Sequence, residues 1–181
     1  MARHVFFSFH YADIWRVNVV RNSHVVEGTA IAGFRDGSLW EEAKKKGDAA
    51  IKKMIDEALD GTTVTCVLIG EKTSQREYVT YEIEKSIERG NGIFGVRIHG
   101  IKDQSQKPGA WGPSPQALVD AGAPIYDWDK DKFGDWVEDA YKAREENVAK
   151  KSLLRPAVAS AGLTFPNRPI IPNKPAGFGG K

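Results

Sequence analysis

The sequence is poor in cysteine, because Cys66 is the only one among 181 residues. A single thiol cannot close an internal disulfide, so a small disulfide-stabilised fold is excluded. Cys66 lies within the apolar run VTCVLI at residues 64–69, which predicts a buried strand. We therefore interpret it as a small core residue rather than a reactive thiol.

The sequence also lacks an excess of charge of one sign and any long apolar run. Its 26 basic and 24 acidic side chains give a net charge of +2, too balanced for a nucleic-acid-binding surface. No apolar run approaches the ~20 residues of a membrane helix, and residues 1–4 lead into a strand-like segment rather than a signal-peptide core. We expect a cytoplasmic protein whose partners are neither nucleic acid nor membrane.

Histidines are few, and their positions do not suggest a metal site. His4, His24 and His99 have no spacing that gathers them with acidic or cysteine ligands. We therefore expect no bound metal.

Hydrophobic residues make up 41% of the chain, enough for the core of one folded domain. We expect residues 1–150 to form this domain and residues 151–181 to form a Pro- and Gly-rich C-terminal tail. Its prolines exclude regular helix. Apolar residues in the tail would let it dock on the domain or on a neighbouring subunit, and a mobile terminus is the alternative.

Short apolar runs alternate with segments of helical periodicity. Strands are predicted at residues 4–9, 30–34, 63–69, 93–98 and 126–128. Helices are predicted at residues 48–60 and 74–89 and from Phe133 onward, with a long surface loop over residues 102–124. Such alternation implies right-handed crossovers. The predicted fold is α/β, a flavodoxin-like doubly wound parallel sheet with helices on both faces.

The helix at residues 74–89 follows the core strand. Ser74 and Glu77 have the spacing of a capping box, with Ser74 as the cap. Its predicted buried stripe consists of Val79, Ile83 and Ile87.

Three stretches of the sequence carry motifs that resemble parts of one domain family. They are VFFSFHY at residues 5–11, continuing through RVN at 16–18 and VRN at 20–22, then FRDGSLWE at 34–41 and CVLIG at 66–70. They resemble the first strand, the region after the second strand and the core strand of the bacterial TIR-like domains of Thoeris antiphage systems. The resemblance covers residues 5–13, 33–42 and 63–103, fades beyond them, and implies a TIR-like version of the fold.

The resemblance extends to one catalytic position. In TIR enzymes the catalytic glutamate follows an aromatic residue by four positions on the helix after the core strand, and YVTYE at residues 78–82 has that spacing. This implies that Glu82 is catalytic, although family members more often have tryptophan where this chain has Tyr78. The alternative is an exposed glutamate paired with Lys85 or Ser86.

One carboxylate suffices for the implied chemistry. Cleavage of the nicotinamide–ribose bond of NAD develops positive charge on the sugar, which a fixed carboxylate beside the ribose can stabilise. Glu82 flanks the Val79 and Ile83 stripe, so its side chain can face the cleft.

Ligands of open parallel sheets bind outside the carboxyl ends of the strands. The candidate substrate-binding residues there are Ser8, Phe9, His10, Asp36, Trp40 and Tyr78. The first three would contact the ribose, phosphates or nicotinamide, the next two would border the adenosine, and the tyrosine would stack on a base.

Five of these six assignments have a structural alternative. Phe9 is equally suited to the core and His10 to a solvated loop. Asp36 is equally suited to a turn, while Trp40 and Tyr78 are equally suited to helix packing.

The implied function is that of an enzyme of the NAD+ glycohydrolase or ADP-ribosyl cyclase type, with NAD as substrate and without a cofactor. It would release nicotinamide and cyclise or otherwise rearrange the ADP-ribose into a signal that activates an effector protein in antiphage defence.

The main alternative is a non-catalytic assembly module that acts through TIR–TIR contacts, and a homo-oligomer is left open. A phosphoacceptor receiver or a flavin carrier ranks behind. The core strand ends in LIG without an aspartate, and the first strand exits through FHY without a phosphate loop.

Overall fold

The computed structural model describes residues 3–23, 30–32 and 44–154. Within them the strands are β1 (His4–Phe9), β2 (Ala30–Ala32), β3 (Val64–Ile69), β4 (Gly92–Arg97) and β5 (Ile125–Asp127). The α-helices are α1 (Ile14–Arg21), α2 (Asp48–Leu59), α3 (Glu77–Arg89), α4 (Gln116–Asp120) and α5 (Phe133–Leu154). Short 3-10 turns at Tyr11–Asp13 and Thr73–Gln75 follow β1 and β3.

The described strands form one parallel sheet in the order β2-β1-β3-β4-β5. This order confirms the doubly wound, flavodoxin-like prediction. The direction of winding reverses between β1 and β3, where Ser8 is in register with Val67. Loops leave in opposite directions on either side of this point, so a crevice opens at the carboxyl ends of β1 and β3.

One face of the sheet is covered by α1 and α5. It buries aliphatic and aromatic side chains that alternate along β1, β3 and β4, beginning with Val5 and Phe7. Phe133 and Trp136 of α5 fill the space above them, and Trp136 stacks on Tyr126 with a centroid distance of 4.3 Å. Cys66 is fully buried in this cluster, as predicted for a core residue, and burial raises the pKa of its thiol.

The other face is covered by α2, α3 and α4. Phe6 packs against Ile51, Ile55 and Leu59 of α2. A second cluster there joins β3 to α3 and α4 and consists of Val67, Ile69, Val79, Ile83 and Leu118. Between these two clusters the face buries polar groups, which are described below.

Two predictions for the helix after the core strand are wrong. The helix begins at Glu77, and its N-cap residue is Arg76 without a side-chain cap hydrogen bond, so Ser74 does not cap it. The reason is that residues 73–75 form a 3-10 turn in which the buried Thr73 bonds to the end of β3. Ile87 is 41% exposed, and Ser86 is buried in its place.

Other elements differ from prediction in smaller ways. The helix α1 was not predicted, and the predicted loop over residues 102–124 contains the short helix α4. The strand β2 occupies Ala30–Ala32, while the rest of its predicted range lies outside the described residues. Helix α5 continues to Leu154, past the predicted domain boundary at residue 150, and the remainder of the tail also lies outside them.

Across the portion of the chain described above, no helix is both long enough and apolar enough to cross a membrane.

Candidate active site

Glu82 is the only carboxylate on the sheet-facing side of α3. The helix has helical apolar spacing at Val79 and Ile83, and it ends at Gly90, which adopts the left-handed conformation (φ 76°). Because Glu82 lies beside Ile83 on this side, folding carries it against the sheet, where it is only 3% exposed. The exposed, surface-paired alternative considered for Glu82 is therefore excluded.

The partner of Glu82 is Ser8 of β1. The Ser8 hydroxyl donates a hydrogen bond of 2.6 Å to Oε2 of Glu82, and Ser8 is fully buried. The two residues are 74 positions apart in sequence, and they meet because β1 and β3 are neighbours and α3 follows β3. A charge-assisted bond of this length fixes the orientation of the carboxylate.

The end of β3 beside this pair is held by Thr73. Its hydroxyl accepts a bond of 2.9 Å from the Gly70 amide and donates one of 3.4 Å to the Leu68 carbonyl. Gly70 has no room for a side chain, because a Cβ atom there would lie 2.1 Å from Oδ2 of Asp13. Sequence reasoning missed both roles, although a glycine followed three positions later by threonine at the end of a core strand is a readable signal.

His10 and Asp13 lie where the chain leaves β1. Burial lowers the pKa of His10, and the positive charges of Arg76 and Lys72 lower it further against the opposing effect of Asp13. Burial raises the pKa of Asp13, which is 9% exposed, although His10 and Arg16 act in the opposite direction. The lowered pKa favours the neutral form of the His10 imidazole, and cationic side chains lie near it.

Tyr78 lies one turn before Glu82 on α3. Its ring packs against the α2 cluster, and its hydroxyl donates a bond of 3.1 Å to Asp48 at the start of α2. This is the helix-packing contact that had been the alternative to base stacking, and stacking on a base stays a prediction.

The remaining candidates are Phe9, Asp36 and Trp40, of which the structure describes only Phe9. Phe9 packs against the apolar cluster on the α1 and α5 face, opposite to Ser8. Asp36 and Trp40 lie outside the described residues, so their predicted contacts with the adenosine stay predictions. Of the residues predicted as the site, Ser8 and Glu82 are in contact, His10 follows at the strand exit and Tyr78 flanks the helix start.

The chemistry available to this arrangement is that of one oriented carboxylate largely withdrawn from water. Such a group stabilises positive charge that develops on a bound molecule, and it does so more strongly than in bulk solvent. Across the ranges that the structure covers, no three His, Cys, Asp or Glu side chains gather into a possible metal site.

Comparisons with known proteins match the chain along most of its length. The family model described as "Thoeris protein ThsB, TIR-like domain" matches residues 6–103, which include most of β1 and all of β3, α3 and β4. A curated protein of Bacillus cereus (strain MSX-D12), named "Putative cyclic ADP-D-ribose synthase ThsB1", is 44% identical over 163 residues. The match covers 84% of this chain and 84% of that protein.

Proposed function

Because the chain belongs to the Thoeris ThsB family of TIR-like domains, we propose that it is an NAD-cleaving enzyme that makes an ADP-ribose-derived signal. NAD is its substrate, nicotinamide its first product, and a cyclic ADP-ribose its second. The signal activates a partner effector in antiphage defence. The protein acts in the cytoplasm.

The observation that carries the proposal is the buried hydrogen bond between Ser8 and Glu82. During cleavage the bond between C1′ of the ribose and the nicotinamide nitrogen breaks, and its electron pair leaves with nicotinamide. The sugar is left as an oxocarbenium-like cation, which the Glu82 carboxylate stabilises. Ser8 acts through Glu82 as a positioning residue.

The fate of the sugar cation depends on which nucleophile reaches it. Attack by water yields linear ADP-ribose and releases one proton. Attack by a hydroxyl group of the same molecule yields a cyclic product and also releases one proton. A site that withdraws its carboxylate from bulk water favours the intramolecular nucleophile.

The other candidate residues would bind the rest of NAD. His10, with Lys72 and Arg76 near it, suits the diphosphate, because these two cations can attract its negative charges. Asp36 and Trp40 would border the adenosine, and Tyr78, at the start of α3, would stack on a base.

The test is to incubate the purified protein with NAD and to identify the nucleotides by mass spectrometry. Protein from phage-challenged cells should be compared with protein from unchallenged cells, so that a resting state does not mask activity. We expect free nicotinamide and a product with the mass of ADP-ribose less one water. NAD left intact by both preparations would refute the proposal, and linear ADP-ribose alone would refute cyclisation.

A further inference from the structure

A line of buried polar side chains runs behind Glu82, between α3 and the sheet. Ser86 lies one turn after Glu82, and its hydroxyl donates a bond of 2.7 Å to the Glu82 backbone carbonyl. The Ser86 hydroxyl oxygen also accepts a bond of 2.8 Å from the hydroxyl of Thr65 on β3. Thr65 and Ser86 are both fully buried.

The line continues from Thr65 to the ends of α2 and α3. Asn91, in the turn after α3, donates from Nδ2 to Thr65 at 3.3 Å and to Thr62 at 2.9 Å. Thr62 in turn donates to the carbonyl of Leu59 at the end of α2. The polar line thus connects the ends of α2 and α3 with the middle of β3.

Every hydroxyl hydrogen in the line is used, and the bonds diverge from Asn91, through Thr65 and Ser86 toward Glu82 on one side and through Thr62 toward Leu59 on the other. A hydroxyl has one hydrogen to donate. Thr65 donates its hydrogen to Ser86, and Ser86 donates its own to Glu82. Removing one hydroxyl therefore leaves a buried neighbour without that hydrogen-bond partner.

We propose that Ser86 is a positioning residue that, with Thr65, sets the depth of Glu82 in the site. The Glu82 carboxylate is held by Ser8 of β1, and its backbone carbonyl is held by Ser86, whose hydroxyl is bonded to Thr65 of β3. Without the second tie α3 can shift against the sheet, and the carboxylate leaves the position at which Ser8 holds it. A displacement of about 1 Å at a reacting group costs up to about a hundredfold in rate.

This inference rests on the proposed catalytic role of Glu82. For that reason its test includes a structural readout that does not depend on turnover. Crystal structures of the wild type and of Ser86→Ala should show whether the 2.6 Å contact between Ser8 Oγ and Glu82 Oε2 persists. We expect it to lengthen beyond hydrogen-bonding distance in the variant, and an unchanged contact would overturn the inference.

The kinetic arm compares two substitutions at Thr65. Thr65→Val keeps the shape and loses the hydroxyl, whereas Thr65→Ser keeps the hydroxyl and loses a methyl group. We expect kcat for NAD cleavage to fall about tenfold in Ser86→Ala and Thr65→Val, with KM within about twofold. Thr65→Ser should retain kcat within about twofold, although it leaves a small cavity.

Cys66→Ala is the matched control for general destabilisation. Cys66 is adjacent to Thr65 on β3 and fully buried, but it belongs to the apolar cluster on the opposite face. A fall in kcat that is equal in Cys66→Ala, Thr65→Ser and Thr65→Val would show that rate only follows stability, and it would overturn the inference. If Ser86→Ala does not fold, the comparison of kcat between Thr65→Val and Thr65→Ser tests the inference instead.

Glu82→Gln, assayed alongside, separates the two possible failures. If Glu82→Gln turns over NAD normally, the proposed role of Glu82 fails, whatever Ser86→Ala does. If Glu82→Gln is inactive while Ser86→Ala keeps wild-type kcat and the Ser8 contact, only the positioning role fails.

Discussion

The two faces of the sheet are built from different chemistry. Beneath α1 and α5 the buried side chains are almost all aliphatic or aromatic. Four aromatic rings have centroids within 6.4 Å of that of Phe133: those of Phe7, Phe94, Trp128 and Trp136. Beneath α2 and α3 the interface also buries Ser8, Thr65, Glu82 and Ser86. Both faces are closely packed, but among the described residues only the face beneath α2 and α3 buries a group of hydrogen-bonded polar side chains.

The difference indicates where stability and function lie. Apolar burial contributes about 25 cal/mol per Å² without any need for partners. A buried carboxylate costs free energy unless donors surround it, and replacing such groups by apolar residues is often neutral or stabilising. Polar groups that are retained and hydrogen-bonded on one face therefore point to a role other than holding the fold together.

The largest effect on stability should follow from Phe133→Ala on the apolar face. Phe133 is 1% exposed and contacts rings from β1, β4 and its own helix. We expect a loss of about 3–5 kcal/mol in the free energy of unfolding, measured with urea, with unchanged kcat for the folded fraction. Val148→Ala, at an exposed position of α5, is the control. A loss below about 1 kcal/mol would mean that the apolar face does not carry the fold.

Ser8→Ala should lower stability less than Phe133→Ala does, and it should lower kcat as well. Removing the hydroxyl takes a buried hydrogen-bond donor from the Glu82 carboxylate, so kcat should fall about tenfold while KM for NAD stays within about twofold. Stability should fall by about 1–3 kcal/mol. If KM instead rises several-fold at constant kcat, Ser8 binds substrate directly and does not orient Glu82.

The smallest effect concerns Asp13, which lies between β1 and α1. Because burial raises its pKa in the folded state, its contribution to stability is fully present below the unfolded-state pKa and is lost as the pH rises through the folded-state value. Charged and titratable neighbours are His10, Arg16 and Glu71.

Asp13→Asn cannot ionise, so its melting temperature relative to wild type should rise between about pH 4 and about pH 7. Asp131→Asn, at an exposed position, should show no such trend. A constant difference between Asp13→Asn and wild type across this range would be inconsistent with the raised pKa.

Much of the sheet could be predicted because its strands are covered on both sides. Such strands are continuous apolar runs, and residues 64–69 are a clear case, with every residue buried. The helix α2 was predicted because Ile51, Ile55 and Leu59 repeat at helical spacing on one buried side. The proximity of Ser8 and Glu82 could be predicted from topology. Ser8 lies near the carboxyl end of β1, and Glu82 lies on the helix that follows the neighbouring strand β3.

The polar line behind Glu82 could not be predicted, because helical periodicity was read from apolar residues alone. That criterion selected Ile87 for the buried stripe, whereas the side of α3 that meets Thr65 required Ser86. The start of α3 was misplaced for a related reason. The capping pattern at Ser74 takes no account of the hydrogen bonds that Thr73 makes with Gly70 and Leu68, which hold residues 73–75 in a 3-10 turn.

The most direct test compares nicotinamide release from NAD by the wild type, Glu82→Gln and Glu84→Gln. Both variants remove one carboxylate from α3 at nearly constant size, but Glu82 is buried against Ser8 and Glu84 is exposed. We expect the rate to fall by at least about 10²–10³ in Glu82→Gln, with the fold intact, and to stay within about twofold in Glu84→Gln. Wild-type release by Glu82→Gln would contradict the assignment of the chemistry to this carboxylate.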